Sequence, residues 1–237
     1  MSREKPIAVV LTCEHGGNEV PGAYSHLFAN AQEVLLTHRG YDIGGLGVAE
    51  RMSERLRVPL IASTTTRLLI DLNRSLDNPS CFSEFSRDLS ESAKQEVIEL
   101  FYLPYRSMVT QRIESEIRKK HRILHVSVHS FTDVLDGHVR SVDCALLFDP
   151  SRRFETEICQ QWLAAMQLED GCNLFRYNEP YKGTDDGLTT HLRTLFDDDE
   201  YAGIEIEIRQ GLLHTLENQQ RFGDLLSMTF ARVAGIG

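Results

Sequence analysis

Along the 237-residue chain, short apolar runs alternate with longer stretches in which apolar positions recur at helical spacing. Residues 7–12 form a short, mainly apolar run, as expected of a strand buried on both faces. Residues 45–56 have helical spacing, with Leu46, Ala49, Met52 and Leu56 on one face. Residues 59–63 and 67–71 read as strands. The longest helical region spans 90–122: Val97, Leu100, Phe101 and Leu103 lead to a break at Pro104, and Met108, Ile113 and Ile117 carry the pattern on. Strands follow at 123–128 and 142–148, then a helix over 154–166 with Ile158, Trp162 and Ala165 as its core stripe. A strand near 173–177, a helix over 187–196, a strand over 203–209 and an amphipathic helix over 212–233 complete the pattern.

Strands alternating with helices of this length predict a mainly parallel, mixed sheet with helices on both faces, a three-layer αβα architecture. No linker-like or repeated segment divides the chain, so one domain over residues 1–237 is expected. In such folds reactive groups gather at the carboxyl ends of the strands. The polar clusters fall at those places: Cys13-Glu14-His15-Gly16-Gly17 after the first strand, Asp71-Leu72-Asn73-Arg74 after another, His129-Ser130-Phe131 after a third and Glu207-Ile208-Arg209 at a fourth.

Composition changes the picture mainly by exclusion. With 41% hydrophobic and 25% charged residues the chain reads as an ordinary globular protein. No apolar run approaches the roughly 18 to 20 residues that span a bilayer, and the first residues lack a signal-peptide core. A cytoplasmic location and no membrane partner are the expectation. Five scattered cysteines without a CxxC pair argue against a disulfide framework and a thiolate metal site, and Cys13 reads as a packing residue. A net charge of −10 is the reverse of what a phosphate-backbone binder carries, so no nucleic-acid partner is expected. The basic cluster at 118–122 reads as a solvated helix end, where positive charge suits the dipole.

The chemistry follows from the clusters. His15 and His129 each follow an apolar run directly and can converge above the sheet edge. Two neutral imidazoles and one carboxylate, with a position left for water, make a catalytic zinc site. Any one histidine alone is more often a hydrogen-bonded structural residue; the pairing at strand ends is what favours ligation. Arg74 and Asn73 suit a carboxylate, through a planar fork and an added donor, although an Asp71–Arg74 pair capping the turn is a rival account. Glu205, Glu207 and Arg209 share one face of a strand because side chains alternate. Charges on a strand otherwise made of isoleucines are costly to bury unless paired or functional. A glutamate there can move a proton between water and a leaving nitrogen; spacing does not choose between Glu205 and Glu207. Gly16-Gly17 and Gly44-Gly45 permit tight turns, and no dinucleotide fingerprint, P-loop or GxSxG elbow is present.

Taken in order, Glu14-His15-Gly16-Gly17-Asn18 with Pro21, Arg39-Gly40-Tyr41-Asp42-Ile43-Gly44-Gly45, residues 67–75 (Arg-Leu-Leu-Ile-Asp-Leu-Asn-Arg-Ser) and His129-Ser130-Phe131 resemble the N-formylglutamate amidohydrolase family. So do Asn178-Glu179-Pro180-Tyr181, Asp186-Gly187-Leu188-Thr189 and Glu205-Ile206-Glu207-Ile208-Arg209-Gln210. The resemblance implies a phosphorylase/hydrolase-like, zinc carboxypeptidase-like fold and a metal-dependent amidohydrolase acting on a small N-acyl, chiefly N-formyl, amino acid. It implies His15 and His129 as ligands of zinc or another divalent metal and Glu207 as the general base. Asn73 and Arg74 become the carboxylate clamp, with Arg209 holding a second carboxylate or the developing oxyanion. The related carboxypeptidase pattern has a glutamate three residues after the first histidine; here that position is Asn18. Asp42 is the favoured third ligand, with Glu14 and Glu19 as alternatives. Rival functions are a carboxypeptidase-like peptidase or another N-acyl amino acid deacylase and, from a different class, a non-catalytic dicarboxylate-binding protein.

Overall fold

The computed structural model describes residues 5–236; residues 1–4, expected to lead straight into the first strand, lie outside them. In chain order the regular elements are β1 (Ile7–Cys13), α1 (Gln32–Leu35), α2 (Gly45–Leu56), β2 (Leu60–Ala62), α3 (Glu91–Val97), α4 (Leu103–Arg118), β3 (Arg122–Phe131), β4 (Val134–Leu135), β5 (His138–Val139), β6 (Cys144–Leu147), α5 (Arg153–Glu169), β7 (Phe175–Tyr177), α6 (Leu188–Leu195), β8 (Tyr201–Arg209) and α7 (Leu216–Ala234). Six strands form one sheet in the order β2-β1-β3-β8-β6-β7, and β4 with β5 makes a separate hairpin. From β2 to β8 neighbouring strands are parallel; β6 and β7 run parallel to each other but antiparallel to β8. The reversal falls where β3 is followed by a hairpin instead of a crossover helix, which is the connection a parallel neighbour needs.

Alternation along the strands sorts the side chains into two cores. One face sends Val9, Leu11, Leu124, Val126, Ile204 and Ile206 against Val48 and Met52 of α2, Trp162 of α5 and Phe222 and Leu226 of α7. The other sends Val10, Ile123 and Tyr201 against Val109 and Ile113 of α4 and Leu188 and Leu192 of α6. The second face turns polar toward the carboxyl ends of β1, β3 and β8, where Thr12, His125, Ser127, His129 and Glu207 are all buried. Among the described residues no helix is long and apolar enough to cross a membrane.

Two expected elements differ. Residues 67–71 are not a strand. Leu69 N donates to Thr66 O, Asp71 N to Cys81 O and Arg67 N to Gly40 O, so turn and loop contacts replace a ladder while Leu68, Leu69 and Ile70 fill the second core. A short apolar run buried by a turn carries the same pattern as a short strand. The break expected at Pro104 takes the form of a π-helical turn, Ile98–Tyr102, between α3 and α4, with the proline in the first turn of α4. Proline lacks an N–H for the turn before it, and a widened turn accommodates this without ending the helix.

Candidate active site

Three parallel strands deliver their side chains to one spot. In register, Ser127 of β3 lies beside Glu205 of β8, and His129 beside Glu207. Neighbouring residues of parallel strands share a face, so His129 and Glu207 point the same way above the sheet. Glu14 and His15 follow directly on the end of β1. Asp42 enters from the turn before α2, where its N–H donates to His15 O at 2.9 Å and its carbonyl accepts from Gly45 N at 3.0 Å. The turn requires glycine at position 44: φ is +80°, and a Cβ there would stand 2.5 Å from Leu213 Cβ.

The two imidazoles are close, with ring centroids 5.1 Å apart. His129 Nδ1 lies 2.8 Å from Asp42 Oδ2, and His15 Nδ1 lies 3.4 Å from the same oxygen. One ligand atom from each of His15, Asp42 and His129 falls within 4.8 Å of the others, and all three residues are buried. The opposite ring nitrogens are taken by other carboxylates: His15 Nε2 contacts Asp71 Oδ1 at 2.7 Å and His129 Nε2 contacts Glu14 Oε2 at 3.0 Å. His15 Nδ1 is buried without a hydrogen-bond partner. A donor set of two buried imidazole nitrogens and one carboxylate oxygen, with each imidazole backed on its far nitrogen by another carboxylate, fits a divalent metal. Of the three acids considered for the third ligand, Asp42 faces both Nδ1 atoms. Glu14 stands behind His129, and Glu19 is exposed and accepts from Thr64 Oγ1.

Charge surrounds this centre closely. Arg67 donates to Asp42 Oδ1 at 3.1 Å and to Asp71 Oδ2 at 3.0 Å. Burial works against the ionised forms of Asp42 and Asp71, yet His15, Arg67 and, for Asp42, His129 hold both carboxyls well below the usual range. Burial likewise opposes ionised Glu14, and hydrogen bonds from His129 and Ser127 overcome it. His129 is disfavoured as a cation by burial but is held well above the ordinary imidazole value by Asp42 and Glu14. Glu207 goes the other way. Burial pushes its carboxyl up to about 8 against the pull of His129, with Asp42 and Glu205 adding to the push. Its Oε2 is buried and has no hydrogen-bond partner. Glu205, by contrast, accepts from Thr189 Oγ1 at 2.6 Å.

A cleft above the centre is lined by His15, Asp42, His129, Glu205 and Glu207 and also by Arg67, Asn73, Arg74 and Lys182. Asn73 Oδ1 accepts from Leu188 N at 2.7 Å, which turns the amide so that its NH₂ remains to donate. Arg74 gives one nitrogen to the backbone carbonyl of Asp186. Arg209 is not brought to the cleft. Its guanidinium binds Asp143 Oδ1 at 2.7 Å and Asp133 Oδ1 at 2.9 Å, and it clasps the ends of the strands together. The shared face inferred from alternation holds along β8, but Arg209 is its last residue, where those acids claim it.

Four groups escaped the sequence reading in their observed places. Arg67 and Asp71 are four apart, a spacing that a turn brings together, but the segment reads as a strand. Asp71 serves His15 and Arg67, so its side chain does not pair with Arg74. Tyr105 of α4 donates to Glu14 Oε1 at 2.8 Å, and Lys182 enters from a loop; neither carries a sequence signal for this site.

Comparison with known proteins adds a family. A family model described as N-formylglutamate amidohydrolase matches residues 7–214. Among solved structures, gene product Atu2144 from Agrobacterium tumefaciens is similar at 27% identity and a TM-score of 0.84, over 96% of this chain and 90% of that one. An N-formylglutamate amidohydrolase from Ralstonia eutropha is similar in fold, at 18% identity and a TM-score of 0.68, over 98% of this chain and 94% of that one. No curated protein sequence matches the chain.

Proposed function

Since the chain belongs to the N-formylglutamate amidohydrolase family and is a hydrolase acting on amide bonds, we propose that its substrate is a small N-acyl, chiefly N-formyl, amino acid with an acidic side chain, cleaved with the help of a divalent metal. The observation that carries the proposal is the convergence of His15 Nδ1, His129 Nδ1 and Asp42 beside a buried, unpartnered Glu207. His15, Asp42 and His129 would hold the metal, which when bound supplies Lewis acidity toward the acyl oxygen and toward water.

The remaining roles belong to the chain. Glu207 accepts a proton from the attacking water at its carboxylate and delivers it to the departing nitrogen, so that the products are a carboxylic acid and a free amino acid. Burial raises its carboxyl above the ordinary carboxylate value, which makes the ionised form a stronger proton acceptor than an exposed glutamate. Arg67, which lines the cleft, presents positive charge where the acyl oxygen becomes negative. Asn73 and the free nitrogens of Arg74 hold the substrate's α-carboxylate, the guanidinium through a planar fork. Asp71 and Glu14 fix the two imidazoles by their far nitrogens, so that each presents Nδ1.

The test is a metal assay on the purified protein together with a screen of N-acyl amino acids for amine release. Stoichiometric divalent metal and amine release from an N-formyl acidic amino acid are expected. A protein that binds dicarboxylates but takes up no metal and releases no amine would reduce the site to a binding module.

A further inference from the structure

Three arginine or lysine side chains line the cleft, Arg67, Arg74 and Lys182, and of these Arg74 and Lys182 have no carboxylate in ion-pair contact among the described residues. Arg67 is engaged by Asp42 and Asp71, and Arg209 by Asp143 and Asp133. Arg74 commits one nitrogen to the Asp186 carbonyl and keeps the rest of its guanidinium. Lys182 lines the cleft, and no carboxylate pairs with its ammonium among the described residues.

Lys182 is rooted in a loop that its neighbours pin. Asn178 Oδ1 accepts from Phe148 N at 3.1 Å and from Gly183 N at 2.8 Å, closing the loop against the end of β6. Gly183 O accepts from Arg193 Nη1 at 2.5 Å, and a Cβ at Gly183 would come within 2.1 Å of Phe148 N. The two acids beside it are occupied. Asp185 Oδ2 accepts from the Lys182 backbone N–H at 2.9 Å, and Asp186 Oδ2 accepts from Ser75 N and Asn78 Nδ2. Both carboxylates still lie on the cleft wall and repel an anionic ligand, so a second carboxylate gains from an unpaired cation beyond Arg74.

We infer that Lys182 reads the second carboxylate of the substrate and sets the preference for acidic over neutral side chains. The inference rests on the proposed amidohydrolase reading and adds a specificity-determining residue to it. With Asn73 and Arg74 on the α-carboxylate, a side-chain carboxylate at the cleft mouth meets the Lys182 ammonium. A lysine is a compact charge on a flexible stem, in contrast to the fixed fork of arginine. It therefore selects for charge more than for reach, and aspartyl and glutamyl substrates differ less from each other than either does from its amide.

The experiment uses the full chain loaded with metal and compares N-formyl-L-glutamate with its near-isosteric neutral partner, N-formyl-L-glutamine. In Lys182→Met the ratio of the two kcat/KM values falls by about 10- to 100-fold, the range expected for losing one charge-assisted contact. The loss appears mainly in KM for the acidic substrate, and Lys182→Arg recovers most of the ratio. Calorimetric titration with glutarate shows the same loss of affinity without any turnover. An active wild type whose ratio is unchanged in Lys182→Met overturns the inference and leaves the amidohydrolase reading standing. A wild type that releases no amine from any N-acyl amino acid overturns that reading instead, and unchanged glutarate affinity in Lys182→Met then overturns the inference as well.

Discussion

Glu205 and Glu207 are two residues apart on one strand, and only their surroundings tell them apart. Glu205 gives an oxygen to Thr189, whereas Glu207 stands in register with His129 and keeps a buried oxygen without a partner. Glu207→Gln is therefore expected to lower turnover by about 10²- to 10⁴-fold while metal content stays intact, as for loss of a general acid–base group. Steady-state kinetics with a parallel metal assay checks this; the loss appearing in Glu205→Gln alone would move the base to the other carboxylate. The raised pKa of Glu207 also has a consequence for stability. A carboxyl whose folded value is near 8 binds its proton more tightly folded than unfolded, so its contribution is complete below the ordinary carboxylate range and is lost as pH rises through about 8. His129, also raised, acts in the same direction, so the informative quantity is the difference between proteins. Metal-free Glu207→Gln gains stability relative to metal-free wild type between pH 5 and 9 in denaturant titrations. At this scale His15 and His129 are legible because each lies at the carboxyl end of a short apolar run, His129 within the last residues of β3 and His15 two residues past β1. Glu14 and Asp71 were not legible in their roles behind the imidazoles, since those contacts join residues 115 and 56 positions apart.

The long helical region from α3 to α4 shows how an element reaches a site it does not contain. The π-helical turn Ile98–Tyr102 precedes Pro104, and the tyrosines on either side of that proline both point inward. Tyr102 donates to the carbonyl of Arg74 at 2.8 Å, and Tyr105 donates to Glu14 Oε1 at 2.8 Å and to Ile61 O at 3.1 Å. One helix thus steadies both the carboxylate clamp and the carboxylate behind His129. Glu14→Ala is expected to weaken metal binding by about 10- to 100-fold, the usual cost of losing a partner behind a ligand. Tyr105→Phe, one contact further out, should weaken it less. Competition with a chelating indicator measures both, and unchanged affinity in Glu14→Ala would remove this chain of contacts from the metal site. The apolar periodicity revealed the helix and Pro104 marked the irregularity, but no pattern says which polar tip a helix carries to a strand 91 residues away. The alternation of strands and helices gave the layers and the mostly parallel sheet. Residues 67–71 carry a strand-like pattern yet form turns, because an apolar run that short is equally at home in a turn packed against the core. The resemblance implies a substrate role for Arg209, and neither it nor the face shared with Glu207 registers Asp133 and Asp143 at the strand end.

Across the whole molecule, the polar end of one sheet face concentrates negative charge inside a chain that is already acidic, at −10 overall. Glu14, Asp42 and Asp71 are buried there as carboxylates beside Glu207, whose carboxyl burial pushes up to about 8, and the nearby compensation is Arg67 and the two histidines. Buried ions recover their desolvation cost only when well matched, so a divalent cation between His15, Asp42 and His129 would add stability that the protein alone lacks. A ligand that binds only the folded state stabilises it by about 4 kcal/mol at 1,000 times its dissociation constant. For a chain of this size, roughly 2 to 4 °C per kcal/mol translates that into a rise in Tm of about 8 to 16 °C on metal loading. A chelator should reverse the rise, and His15→Ala or His129→Ala should abolish it. The effect also has a pH sign. A metal there would require a free Nδ1 on His129, whereas Asp42 and Glu14 favour the doubly protonated ring, so its binding would expel a proton. Affinity should therefore tighten as pH rises from 6 to 8, the opposite of the trend in metal-free stability set by Glu207 and His129. Calorimetry in buffers of different ionisation enthalpy would report the released proton directly. A folded protein whose Tm does not move with zinc, cobalt, manganese or iron would show that the His15, Asp42 and His129 cluster is held together by its own hydrogen bonds and serves no metal.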